Sequence, residues 1–172
     1  MNKPLVTLLA AGIALAVNGC DIPRPDVPDS LKAPAGEKVI LVGHATGVQI
    51  YVCQSGANAP FVWTLTAPEA DLTDSSGKKI IHHFAGPTWK HNDGSEVVGK
   101  KVAQEDAPKP DAIPWLLLSA RSTAGSGIFA TIQAIQRAHT TGGKAPATCE
   151  SAQAGQETRV PYTADYYFYS AG

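Results

Sequence analysis

The sequence predicts an all-β fold, a single-domain antiparallel sandwich or barrel built from residues 38–172. Through most of that region apolar and polar residues alternate with a period of two, as they do in half-buried strands. Clusters of Gly, Pro, Asn, Asp and Ser cut it into short segments, the rhythm of sandwiches and barrels. No span sustains the 3.6-residue period of a long amphipathic helix, and no internal repeat is present.

The elements follow in chain order. Val39 to His44 and Val48 to Gln54, rich in Val, Ile and Tyr, flank Ala45-Thr46-Gly47 and read as two paired strands. Phe61 to Thr66 is a third strand, with Pro68 expected to stop it. Asp74-Ser75-Ser76-Gly77 is a turn, after which Lys79 to Phe84 is extended. Gly86-Pro87 and Asn92-Asp93-Gly94 bracket Thr88 to His91. Further strands are expected at Glu96 to Ala103, Trp115 to Ala120 and Tyr162 to Tyr169. Thr131 to Ala138 stays open between two readings: Ile128, Ile132 and Ile135 fit a helical face, while the surrounding rhythm favours a strand.

Ahead of this domain stands a leader. Lys3 supplies a positive start, Leu5 to Val17 an apolar run, and Val17-Asn18-Gly19-Cys20 closes it. So short a run fits a signal-peptide core and falls below the roughly 18–20 residues that span a bilayer. A Cys directly after a small residue is the pattern of a bacterial lipoprotein, so residues 1–19 are expected to be removed and Cys20 lipidated. Asp21 to Glu37, punctuated by Pro23, Pro25, Pro28 and Pro34, reads as a semi-rigid extended tether. The expected location is the bacterial cell envelope, outside the cytoplasm and on the periplasmic side, with the membrane as partner through the lipid. Asp21 resembles an inner-membrane retention signal.

Removing 19 of the 172 residues leaves 153, enough for one domain with its own core. Only Lys3 is lost, so 13 Lys and Arg face 15 Asp and Glu, a balance of −2. With no like-charge run longer than Lys78-Lys79 or Lys100-Lys101, nucleic acid is not an expected partner. If Cys20 carries lipid, Cys53 and Cys149 remain as an even pair in an oxidising compartment. The alternatives are a disulfide closing a long loop and two independent buried thiols.

Motifs for chemistry are sparse. Gly125-Ser126-Gly127-Ile128-Phe129-Ala130 matches the dinucleotide pattern G-x-G-x-x-A, but Thr140 to Thr148 is loop-like where a second parallel strand should begin. A glycine turn between strands is the better reading. Ser95, Ser119 and Ser122 lack the flanking glycines of a nucleophile elbow. No H-E-x-x-H, paired C-x-x-C or phosphate loop is present. Three of the five histidines fall between Ile80 and Ser95. A tight turn at Gly86-Pro87 sets His82 opposite His91 with Asp93 on the same face, and a one-residue change of register brings His83 opposite His91 instead. Either arrangement offers two imidazoles and a carboxylate to a divalent metal. The plainer reading of His82, between Ile80 and Phe84, is a hydrogen-bonded core histidine. Tyr162, Tyr166, Tyr167, Phe168 and Tyr169 are either a final core strand or an aromatic face that stacks on a flat ligand.

Several blocks recur together as a pattern. They are Gly47-Val48-Gln49-Ile50-Tyr51-Val52-Cys53, Ala67-Pro68-Glu69-Ala70-Asp71-Leu72, Gly86-Pro87-Thr88-Trp89, Asp93-Gly94-Ser95, Ile113-Pro114-Trp115-Leu116-Leu117-Leu118 and Ala164-Asp165-Tyr166. Over roughly Val27 to Tyr169 the chain resembles the family called domain of unknown function 3455, secreted proteins of bacteria and fungi. The resemblance implies one exported domain and favours pairing of Cys53 with Cys149. It implies no catalytic residue, since the family has no established mechanism. A malate dehydrogenase label on some relatives finds no support in the failed dinucleotide pattern. The expected function is an exported, lipid-anchored β-domain acting as a binding or envelope-structural module, with no cofactor expected. The alternative is a metal-binding protein or a hydrolase built from histidines of residues 82–95, such as His91 with Asp93.

Overall fold

The computed structural model describes residues 21–56 and 59–172; the leader and Cys20 lie outside them. Alternating burial carries the chain through eight strands: β1 (Glu37–Ser55), β2 (Phe61–Thr73), β3 (Lys79–Phe84), β4 (Thr88–His91), β5 (Glu96–Glu105), β6 (Trp115–Ala124), β7 (Ile132–Gly142) and β8 (Glu157–Ala171). Each pairs antiparallel with the next, and β8 returns to pair with β1, closing an up-and-down barrel that leaves no free lateral edge on either terminal strand. The expected all-β sandwich or barrel is a barrel.

Where the sequence suggested a hairpin at Ala45-Thr46-Gly47, one continuous strand runs for 19 residues. Gly47 is there for close approach, not for a turn. A Cβ at this position would stand 2.2 Å from the Glu69 carbonyl oxygen and 2.4 Å from the Ala70 Cβ. Pro68 does not stop β2, which continues to Thr73. Pairing of β2 with β3 begins only at Ala70, so at Pro68 the strand is bonded on one side alone, and its missing N–H breaks no ladder. Of the ambiguous residues 131–138, all but Thr131 are strand: a single 3-10 turn, Ile128–Thr131, precedes β7.

Two apolar clusters hold the fold. The barrel interior contains Leu72, Ile81, Trp89, Val97, Leu118, Phe129, Ile135, Tyr166 and Phe168, all almost fully buried. The second cluster lies outside the barrel wall. There Val27, Leu31 and Ala33 pack on Val39, Leu117, Ala134, Ala138 and Tyr169. The proline-rich segment expected to be a semi-rigid tether packs on the barrel through Val27, Leu31 and Ala33. Gln136 donates through Nε2 to the Leu31 carbonyl, and Arg24 lies over the Tyr169 ring at 5.4 Å. Few apolar residues suffice here because Val27, Leu31 and Ala33 are all buried.

The barrel is closed at one end and notched near the other. At the closed end Phe129 enters the interior against Phe168, ring centroids 4.7 Å apart. The glycine motif forms this plug: Gly125 has φ +77°, Ile128–Thr131 makes one 3-10 turn, and an antiparallel strand follows. Neither the helix nor the parallel strand of a dinucleotide site is present there. The notch arises because β3 and β4 are only six and four residues long. Their hairpin ends at Ala85-Gly86-Pro87, with a cis Gly86-Pro87 bond, while β2 and β5 run on past it. Residues 61–69 of β2 pair with β1 alone, and beyond Gly99, whose N–H donates to the Pro87 carbonyl at 2.9 Å, β5 pairs with β6 alone.

Candidate functional site

A cavity of about 460 Å³ opens through this notch into the barrel. Its rim is formed by Leu65, Thr66, Ala67 and Pro68 of β2, by Gly86 and Pro87, and by Lys101 and Gln104 of β5. Inward-facing residues of the remaining strands form its walls: Gln49 and Tyr51, His83, Trp89, Leu116 and Leu118, Arg137 and Tyr166. Ile113 and Pro114, in the connection before β6, complete the lining. Gly143 seals the wall beside them. At φ +85° it fits where a Cβ would meet the Tyr162 Cβ at 2.8 Å and Ile113 at 2.9 Å. Tyr51 donates its hydroxyl to the Gly143 carbonyl at 2.6 Å, and Thr140 donates to Ile113 at 2.6 Å. The Cys53–Cys149 disulfide, across a separation of 96 residues, ties the end of β1 to the β7–β8 connection on this side of the barrel. The Cys pair is therefore bridged.

The cavity is lined by cations and by unsatisfied donors. Arg137 follows Ile135 on the inward face of β7, partly buried, and gives both Nε and Nη2 to the Pro114 carbonyl at 3.1 and 2.7 Å. Among the described residues it makes no ion pair. Lys101 is the other charged residue of the lining, which contains no Asp or Glu. Gln49 Nε2, Trp89 Nε1 and the hydroxyls of Tyr162 and Tyr166 are buried without a well-formed hydrogen bond, Tyr162 lying beside both Gln49 and Tyr166. Leaving such a group unsatisfied costs roughly 1–3 kcal/mol, and three of the four, on Gln49, Trp89 and Tyr166, belong to the cavity wall. Burial first, then the adjacent Tyr166 phenol, hold the Tyr162 hydroxyl far above its usual range.

The histidines expected to share a metal do not converge. The β3–β4 register sets His83 opposite Trp89, His82 opposite Lys90 and Ile81 opposite His91, so neither expected pairing forms. The reason is a three-residue connection where the sequence suggested two. His83 faces inward, buried, its ring stacked on Trp89 at 4.3 Å and 7°. Its Nδ1–H donates to the Thr88 carbonyl at 2.8 Å, which leaves Nε2 as an acceptor. Burial, aided by the Arg137 charge, pushes the imidazole down to about 3, so it is neutral at physiological pH. His82 instead faces outward and meets Asp71 at 3.1 Å. His91 lies at the plug, edge-on to Phe129 and 3.1 Å from Asp93. Among the described residues no group of three His, Cys, Asp or Glu side chains could hold a metal ion.

Asp93 is already occupied as a brace. Its Oδ1 accepts from the Ser95 N–H at 2.8 Å and hydroxyl at 2.6 Å, and its Oδ2 from the Ile128 N–H at 2.8 Å. These bonds, the Ser95 hydroxyl foremost, hold the Asp93 carboxyl well below the usual carboxylate range. The Ser95 oxygen in turn accepts from the Phe129 N–H at 3.1 Å. His91, Asp93 and Ser95 thus resemble a hydrolytic trio in composition only. Ser95 is fully buried and gives its proton to the carboxylate, so no base activates it and no substrate reaches it. The final aromatic strand divides as its alternation predicts: Tyr162, Ala164, Tyr166 and Phe168 enter the core, while Asp165 faces outward between His44 at 2.7 Å and His139 at 2.9 Å.

Arg137 is the residue that sequence reasoning missed. Its signal was the alternation Ile135-x-Arg137, which places the guanidinium on the core face once residues 131–138 are a strand. The fold and the site together define a closed eight-stranded β-barrel with an internal, cation-lined cavity, the class of barrel that is large enough to hold one small ligand. The chain belongs to the family described as protein of unknown function (DUF3455), which it matches over residues 34–170. No curated protein and no solved structure matches it. A disulfide of this kind belongs to an oxidising compartment outside the cytoplasm. Among the described residues no helix is long and apolar enough to cross a membrane.

Proposed function

We propose that the domain is a binding module that holds one small organic molecule inside its barrel. The carrying observation is the set of buried polar atoms without a well-formed hydrogen bond on Gln49, Trp89 and Tyr166, in the wall of a cavity open to solvent that Arg137 also lines. A cavity of this size falls in the range of small-molecule sites, about 300–1,000 Å³. No hydroxyl or thiol in its lining is paired with a base, which favours binding over covalent catalysis. The test is titration with the amphipathic dye 8-anilinonaphthalene-1-sulfonate. Saturable one-to-one fluorescence enhancement is expected, and Ala67→Phe, which narrows the notch, should abolish it. Enhancement that does not saturate, or that is unchanged in the narrowed variant, would place the dye elsewhere and overturn the reading.

The module works, in this reading, from a membrane anchor at Cys20, outside the cytoplasm. The leader pattern supports the anchor, and the Cys53–Cys149 bridge supports the compartment. Replacing Cys20 with Ala should release the protein or leave it unprocessed. Unchanged mass and unchanged membrane fractionation would refute the anchor without touching the cavity.

A further inference from the structure

Resting on the cavity as the binding site, we infer that its ligand is an amphipathic monocarboxylate, with the carboxylate on Arg137 and the apolar body toward the notch. Charge is the first argument. Arg137 projects into the barrel interior without an ion pair among the described residues, and no acidic side chain lines the space before it. An ion taken out of water without a counter-charge is strongly penalised. An anionic ligand removes that penalty. With one cation inside and Lys101 exposed at the rim, where its Nζ donates to Gln104 at 2.8 Å, the interior matches a single negative charge better than a dianion.

Hydrogen-bonding polarity is the second argument. Among the lining residues, the polar atoms without a well-formed hydrogen bond are an amide nitrogen on Gln49, an indole nitrogen on Trp89 and a phenol hydroxyl on Tyr166, all buried in the cavity wall. Each can donate, and a carboxylate is an acceptor only. The Pro114 carbonyl fixes the guanidinium plane through Nε and Nη2, which leaves Nη1 and the second Nη2 hydrogen for a ligand. The rest of the lining is largely apolar, with Leu65, Pro68, Pro87, Ile113, Leu116 and Leu118 placed to cover a hydrocarbon or aromatic body.

The test compares octanoate with octanamide and octyl phosphate by titration calorimetry on the full chain purified from the envelope. Octanoate should bind at least tenfold more tightly than octanamide, and Arg137→Met should bring octanoate down to the amide's affinity. Gln49→Leu should weaken octanoate severalfold. If Arg137→Met does not fold, Arg137→Lys decides: it keeps the charge but loses the fork, so octanoate should lose at least threefold and octanamide nothing. Equal binding of octanoate and octanamide, or no loss in the folded Arg137 variant, would overturn the inference and leave a neutral-ligand cavity standing. Tighter binding of octyl phosphate would replace the carboxylate with a phosphate. Absence of binding by all three, together with no saturable dye binding, would overturn the cavity reading itself.

Discussion

Reducing the Cys53–Cys149 bridge should cost the domain a large share of its stability while leaving its native structure in place. The bridge spans a separation of 96 residues. In the chain-entropy treatment a loop of that length is worth about 4.7 kcal/mol at 25 °C, nearly all of it from the unfolded chain. The native geometry at this point has support of its own. The Cys53 N–H donates to the Gln156 carbonyl at 3.0 Å, the Gly155 N–H donates to Cys53 at 2.9 Å, and Tyr51 binds Gly143. Losing the bond therefore frees the denatured ensemble more than it loosens the barrel. Urea unfolding with and without reductant, and of the Cys53→Ala, Cys149→Ala double variant, should show a midpoint shift equivalent to about 3–5 kcal/mol. The m-value should rise as the unlinked chain exposes more surface. A reduced protein with an unchanged midpoint would refute the entropic reasoning. A reduced protein that keeps its stability but loses dye binding would show that the bridge shapes the cavity instead.

Two further outcomes test other parts of the fold. Leu31→Ala should cost about 2–5 kcal/mol, the usual range for a fully buried leucine, and a thermal-melt loss within error would return residues 21–37 to the role of a loose tether. The pH dependence of stability should carry the signature of His83, whose imidazole titrates at about 3 when folded and near its ordinary value of 6.5 when unfolded. Between those values the unfolded chain binds a proton that the native chain refuses. Stability is then complete above pH 6.5 and falls as pH drops, by up to about 1.4 kcal/mol per pH unit. Urea midpoints at pH 4.5 and 6.5 sample the upper part of the effect and keep clear of the acid range in which Asp93 protonates. His83→Phe keeps a ring against Trp89 and should flatten the slope; a variant with the parental slope would assign the dependence to other groups.

Strands bracketed by turn residues on both sides were legible in the sequence. Lys79 to Phe84 and Thr88 to His91 lie where alternation and their flanking Gly, Pro, Asn and Asp residues put them. The expected leader lies outside the described residues. Reading failed where one residue type serves two physical purposes. Gly47 has the look of a turn, yet its lack of a Cβ is needed for the close approach of Glu69 and Ala70. Val27, Leu31 and Ala33 are too sparse among prolines to suggest a packed segment, and only the apolar outer face formed by Leu117, Ala134, Ala138 and Tyr169 gives them somewhere to go.

Pro68 has the look of a strand end and Gly86-Pro87 of a turn, and in one sense both interrupt the sheet. They sit on either side of the place where β3 and β4 fall short of β2 and β5, so a residue without an N–H does no damage there. That same shortfall opens the barrel. Both prolines line the cavity, together with Lys101 and Gln104 across the gap. Local punctuation that argued against a continuous strand was therefore marking the rim of the site. The interior half of the site left a fainter trace. A lone Arg137 two residues after Ile135 becomes informative only when both are known to face inward, and that depends on closure of β7 against β6 and β8. A charge on the core face of a closed barrel must be neutralised, hydrogen-bonded or matched by a ligand. Here the Pro114 carbonyl meets part of that demand, and no carboxylate among the described residues meets the rest.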